Sequence, residues 1–222
     1  MLGLMLFCCS FFYQHKTENI PMVPYSYLAL GDSYTIGESV TETERFPVQA
    51  VQLLRSKGIA VDDPKIIATT GWTTDELEKG IREARITGTF DLVTLLIGVN
   101  NQYRGRSLEE YREQFSLLLQ QAIDFAGHRV THVVVLSIPD WGVTPFAAGR
   151  DQAAIAREID AFNAANRAIA AASGAHWLDI TPYTREAAQD PALVAEDGLH
   201  PSGKDYARWA ADLAALSAQI LH

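Results

Sequence analysis

Short apolar runs alternate along this chain with longer stretches whose apolar residues recur three and four positions apart. Leu28 to Leu30, Lys65 to Thr69, Asp91 to Ile97, Val130 to Ile138 and His176 to Ile180 are the short runs, and turn residues close each of them. Runs this short, bounded in this way, predict buried strands. The Asp91 to Ile97 run is almost continuously apolar, as a strand covered on both faces should be.

The longer stretches predict amphipathic helices. Phe46-Pro47 opens one carrying Val48, Val51 and Leu54 on one stripe; Pro47 suits the first helical position and Lys57-Gly58 closes the helix. Thr73 with Glu76 forms a capping box for the next. Leu108, Tyr111, Phe115, Leu118, Leu119 and Ala122 mark a long helix, and Ile155, Ile159, Phe162 and Ile169 an alanine-rich one. Tyr206, Trp209, Ala210, Leu213, Leu216 and Ile220 describe a C-terminal helix.

Strands alternating with helices predict an α/β fold with a parallel sheet covered on both faces. Right-handed crossovers then place every strand's C-terminal end on one edge. Ser33, Gly71 and Asn100 each follow one of the first three strands within a few residues, so separate segments deliver polar groups to one rim. In open sheets that rim is where ligands bind.

Composition narrows the function classes. The net charge of the 222 residues is -9, which argues against a nucleic-acid footprint. The two cysteines, Cys8 and Cys9, sit together near the N-terminus, so a disulfide framework or cysteine metal site in the folded part is excluded. P-loop, zincin and G-x-S-x-G patterns are absent, and no metal or other cofactor is expected. Without repeats, low-complexity tracts or a linker, residues 24–222 are expected to form one domain behind a leader over 1–23.

Met1 to Tyr13 is apolar but too short to span a bilayer, so no transmembrane span is expected. It resembles a secretory h-region, yet no Lys or Arg precedes it and no small-x-small cleavage site stands out. Leu6-Phe7-Cys8-Cys9 is faintly similar to a lipoprotein box, which would make a lipid anchor; Phe7 and Cys8 fit it poorly. The pattern tips toward an exported or cell-envelope protein, with translation from Met22 and a cytoplasmic protein as the alternative.

A serine nucleophile needs a base, and the base an orienting partner. Of the six histidines, His15 lies in the leader region, His222 ends the chain, His132 and His176 fall in predicted strands, and His128 lies just before one. His200 stands apart, in the polar turn Glu196-Asp197-Gly198-Leu199-His200-Pro201 ahead of the last helix. Asp197 is three residues upstream, with Gly198 allowing a tight turn that aims both side chains to one side. Each residue also has a plain structural alternative. Ser33 is either a nucleophile or a helix N-cap, and Asp197 and His200 either a relay or turn and capping residues. Asn100 is either an amide donor to an oxyanion or a turn former, and Gly71 either a backbone N–H donor or a turn glycine. Asp32 is expected to be a structural hydrogen-bonding residue.

Gly31-Asp32-Ser33, Gly71 within Thr70-Gly71-Trp72-Thr73-Thr74, Gly98-Val99-Asn100, and Asp197-Gly198-Leu199-His200-Pro201 together resemble the blocks of the SGNH hydrolases, also called GDSL esterases/lipases. The blocks occur in order across almost the whole chain from Leu28 onward. The resemblance implies a flavodoxin-like three-layer α/β/α sandwich with a five-stranded parallel sheet, and a metal-independent serine ester hydrolase acting through an acyl-serine. It makes Ser33 the nucleophile, His200 the general base and acid, and Asp197 its orienter, with Ser33 N–H, Gly71 N–H and the Asn100 amide as the oxyanion hole. It is similar both to lysophospholipase-like members and to carbohydrate acyl esterases.

Trp141 and Phe146, in the loop after the fourth strand, are candidate pocket walls. Asn101-Gln102-Tyr103-Arg104 is either a solvated loop or a contact to a polar or anionic group. No large lid is inserted, which suits short acyl groups or a shallow site. An acyltransferase or thioesterase using the same residues, and a non-catalytic binding module of the same fold, remain alternatives. The expected partner is a small-molecule ester, and oligomeric state is not legible.

Overall fold

A computed structural model describes residues 23–222. The expected leader over 1–23, its lipid-anchor motif and the alternative start at Met22 therefore lie outside the described residues, apart from Val23.

The parallel sheet contains β1 (Tyr27–Gly31), β2 (Lys65–Ala68), β3 (Leu92–Leu96), β4 (Val133–Leu136) and β5 (His176–Leu178). Its order is β2-β1-β3-β4-β5, every neighbouring pair parallel. This is the flavodoxin-like order. The three inner strands are buried at every residue, whereas edge strands β2 and β5 are only partly covered, as their neighbours on one side alone dictate.

Between the strands lie α1 (Ser33–Ile36), α2 (Phe46–Ser56), α3 (Thr74–Ala84), α4 (Val99–Tyr103), α5 (Leu108–Phe125), α6 (Gln152–Ser173), α7 (Thr181–Arg185) and α8 (Gly203–Ile220). The β1-to-β2 connection runs one way across the sheet and all later crossovers run the other. Right-handed crossovers therefore send α2 to one face and α3, α5 and α6 to the opposite face. The packing agrees: α2 pairs with α8, and α5 with α3 and α6. Trp209, Tyr206 and Phe46 cluster where α8 meets α2. Among the described residues, no helix is long and apolar enough to cross a membrane.

Strand ends shift inward from the sequence expectation. Val130–His132 forms a 3₁₀ turn ahead of β4, so His132 lies outside the strand, with Nδ1 2.6 Å from the Asp91 carbonyl oxygen. The stretch after β3 is two helices, α4 and α5, joined by a turn at Gly105 that carries a positive φ.

The strand order reverses between β1 and β3. Their following loops lead to opposite sides of the sheet, and a crevice opens between them. Ser33 follows β1 and Asn100 follows β3, so both stand at that crevice. Each lip needs a glycine. A Cβ on Gly31 would lie 2.1 Å from Thr35 Oγ1 and 2.6 Å from the Leu96 carbonyl oxygen. Gly98 holds φ +132, and a Cβ there would lie 2.5 Å from the Tyr111 ring.

Candidate active site

Ser33 is the first residue of α1, and the N-cap is Asp32, whose Oδ1 accepts from Tyr34 N–H at 3.0 Å. The N-cap alternative for Ser33 is thereby replaced: the cap falls one residue earlier and leaves the serine side chain free of that duty. Asp32 is fully buried and its Oδ2 has no partner among the described residues. Burial pushes its carboxyl up to about 7, against the Tyr34 N–H bond that favours the charged form.

Opposite, the Asp197 carboxylate organises the loop ahead of α8. Its Oδ1 accepts from the backbone N–H groups of Leu199 at 2.9 Å and His200 at 3.0 Å, while Gly198 takes a left-handed φ of +71. The same side chain thus folds the turn and, through Oδ2, accepts from His200 Nδ1 at 2.5 Å. A carboxylate can only accept here, so Nδ1 carries the proton and a neutral ring has its lone pair at Nε2. Partial burial alone would raise the Asp197 carboxyl; hydrogen bonds from His200, Leu199 N–H and Ser39 outweigh it and bring it down to about 2. The His200 ring is buried, with the Tyr34 ring 4.9 Å from it between centroids.

Ser33, Asn100 and His200 line one cavity of about 110 Å³, with Val99, Tyr103, Trp141, Phe146 and Leu199 as its largely apolar walls. Both aromatic residues expected as walls, Trp141 and Phe146, are in it. Among the described residues no hydrogen bond closes between the Ser33 hydroxyl and His200; such bonds are often long in unliganded sites and tighten with substrate.

Asn100, at the start of α4, donates one amide N–H to the Trp72 carbonyl at 3.0 Å. That bond fixes the amide plane, and Asn100 itself lines the cavity. Gly71 lies beside this group, outside the cavity wall. It holds φ +82, and its carbonyl accepts from Arg104 at 2.6 Å.

The 101–104 segment is not a wholly solvated loop: Asn101 and Gln102 are buried, Tyr103 and Arg104 exposed. Asn101 is fully buried and donates to Thr74 Oγ1 at 2.7 Å. Gln102 accepts from Trp141 Nε1 at 2.7 Å and donates to Glu158 at 2.7 Å. Arg104 pairs with Glu76 as well as Gly71. These bonds fix the wall behind Trp141.

Several residues at the site carry no sequence signal of their own. Val99 and Leu199 are motif neighbours whose side chains turn into the cavity. The Arg150 guanidinium sits 5.3 Å from the Tyr103 and Trp141 ring centroids and 5.7 Å from that of Phe146. Ser39 donates to Asp197 Oδ2 at 2.8 Å from 158 residues away.

With this geometry in view, the chain matches the family model for GDSL-like lipases/acylhydrolases over residues 29–208. No curated protein matches the sequence. Among solved structures, TesA superposes with TM-score 0.67 at 16% identity, covering 88% of this chain and 99% of its own. Axe2, an acetylxylan esterase from Geobacillus stearothermophilus, gives TM-score 0.65 at 19% identity, covering 89% and 94%. AlinE4, an SGNH-hydrolase family esterase, gives 0.62 at 20% identity, covering 89% and 97%.

Proposed function

Because this chain belongs to the GDSL-like lipase/acylhydrolase family and is a serine esterase, we propose that Ser33, His200 and Asp197 form its proton relay and hydrolyse a carboxylic ester through an acyl-serine. The 2.5 Å bond between Asp197 Oδ2 and His200 Nδ1, in a ring that lines the same cavity as Ser33, is the observation that carries this conclusion.

In the first half-reaction Ser33 Oγ attacks the ester carbonyl carbon while His200 Nε2 takes its proton. The carbonyl π pair moves to oxygen, where Ser33 N–H and the Asn100 amide, joined by Gly71 N–H from the turn beside the cavity once substrate is seated, stabilise the oxyanion. Collapse expels the alcohol, which receives the proton from His200. Water then attacks the acyl-serine with His200 again as base, and Ser33 recovers its proton as the acid leaves. Asp197 stays ionised throughout, since its carboxyl is held down near 2, and it stabilises the imidazolium formed in each half-reaction.

Cavity size supports a short acyl group. A cavity of roughly 150 Å³ holds a benzene ring, so about 110 Å³ suits an acyl chain of a few carbons. At the mouth Tyr103 and Phe146 are 44% and 42% exposed, flat apolar rings suited to stacking on a sugar face. These two features favour a carbohydrate acyl ester over a long-chain lysophospholipid. Hydrolysis of p-nitrophenyl esters from acetate to dodecanoate, alongside acetylated sugars, tests the preference. Acetate-to-butyrate esters and sugar acetates are the expected substrates; kcat/KM rising toward dodecanoate would reject them.

A further inference from the structure

On the relay reading above, we propose that Ser39 is a fourth member of the relay, a positioning residue whose hydroxyl holds the Asp197 carboxylate. Its Oγ donates at 2.8 Å to Oδ2, the same oxygen that accepts from His200 Nδ1 at 2.5 Å. The other oxygen is occupied by the two backbone N–H groups of the turn. Ser39 is thus the one contact to Oδ2, besides the imidazole, that comes from outside the Asp197 loop among the described hydrogen bonds.

Its backbone supports the same conclusion. Ser39 holds φ +64, a left-handed conformation that glycine adopts far more readily. Of the other non-glycine residues with positive φ among those described, Arg85 is the left-handed C-cap of α3, and His128, like Ser39, lies three residues past a helix end. Ser39 sits in a loop tied down on two sides. The Ser33 carbonyl accepts from Gly37 and Glu38 N–H groups, which fastens the loop to the nucleophile's own helix. The Glu38 carboxylate accepts from the Thr70 hydroxyl, next to Gly71. Backbone strain persists where the surroundings over-determine it, and it clusters at functional sites.

Mechanically, the Ser39 hydroxyl links the segment bearing Ser33 to the segment bearing His200. The Asp197 side chain is 29% exposed, so without this donor Oδ2 stays on His200 Nδ1 but the carboxylate plane, and with it the ring, is held less firmly. An oxygen relieved of one donor also concentrates more negative charge beside the imidazole, which favours the imidazolium. Deleting the hydroxyl should therefore slow turnover and move the acid limb of the pH–rate profile upward.

Ser39→Gly and Ser39→Ala separate this role from a purely backbone one, because glycine relieves the left-handed φ while both delete the hydroxyl. The kcat of both variants, confirmed folded by thermal melts, should fall about three- to tenfold, the equivalent of one ordinary solvent-exposed hydrogen bond. KM should stay unchanged, and the acid limb should rise by a few tenths of a pH unit in both. A Ser39→Gly enzyme with the parent's kcat and pH profile would overturn the proposal. So would a loss of kcat in both variants with the parent's acid limb retained. Fluorophosphonate labelling of the parent comes first: an active parent that is not labelled at Ser33 removes the relay reading itself, whereas a labelled parent with unaffected variants removes Ser39 alone.

Discussion

Replacing Asp197 by Asn tests the relay at its most constrained atom. The Asn carbonyl can take over Oδ1, keep both N–H bonds from Leu199 and His200, and so preserve the turn. Its NH2 then stands where Oδ2 was, facing His200 Nδ1 as a donor. Nδ1 must accept, its proton moves to Nε2, and the lone pair that should receive the Ser33 proton is gone. Flipping the amide would restore an acceptor at Nδ1 but set NH2 against two backbone donors. Leaving two such donors unsatisfied costs about 2–6 kcal/mol. The productive tautomer is therefore rare by roughly 30-fold to roughly 10⁴-fold, at about 1.4 kcal/mol per decade. We expect kcat for p-nitrophenyl acetate at neutral pH to drop within that range while the thermal melt stays cooperative. A folded Asp197→Asn enzyme within threefold of the parent would refute the tautomer argument.

Asn100→Ala removes the amide donor and should lower kcat about 10²- to 10³-fold with KM little changed, measured on the same ester. Asp32 gives a pH-dependent stability: its folded carboxyl lies near 7 against an ordinary 3.8, so its contribution is intact below pH 3.8 and is lost as pH rises through 7. The difference in melting temperature between Asp32→Asn and the parent should accordingly grow from pH 4 to pH 7, with a ceiling of about 4 kcal/mol at 1.36 kcal/mol per pKa unit; parallel curves would contradict it. Gly98→Ala must fit a Cβ 2.5 Å from the Tyr111 ring at φ +132. A cost of about 1–3 kcal/mol corresponds to a melting-temperature loss of roughly 2–12 °C in a domain of this size, readable by calorimetry.

Much of this architecture was legible because its causes are local. Apolar runs closed by Gly31 and Gly98 mark strands, and Thr73 with Glu76 caps α3 through bonds three residues apart. The Asp197–His200 pair was legible for the same reason, since one turn contains it. The strand order came from family resemblance; alternation alone specifies a parallel sheet and not which strands adjoin. Ser39 was invisible because its partner lies 158 residues away and an exposed serine breaks no pattern. The 101–104 segment misled because its polar residues look solvated, whereas Asn101 and Gln102 are buried and spend their amides on Thr74, Trp141 and Glu158. Burial of a polar side chain is set by distant partners, which no short window contains.

Whether Ser33 is the nucleophile is decided by mass spectrometry of the protein after treatment with a fluorophosphonate, with peptide mapping. One adduct is expected on the peptide bearing Ser33, formed rapidly by the parent, slowly by His200→Ala and not at all by Ser33→Ala. An adduct on another serine, or an active parent left unmodified at Ser33, would contradict it.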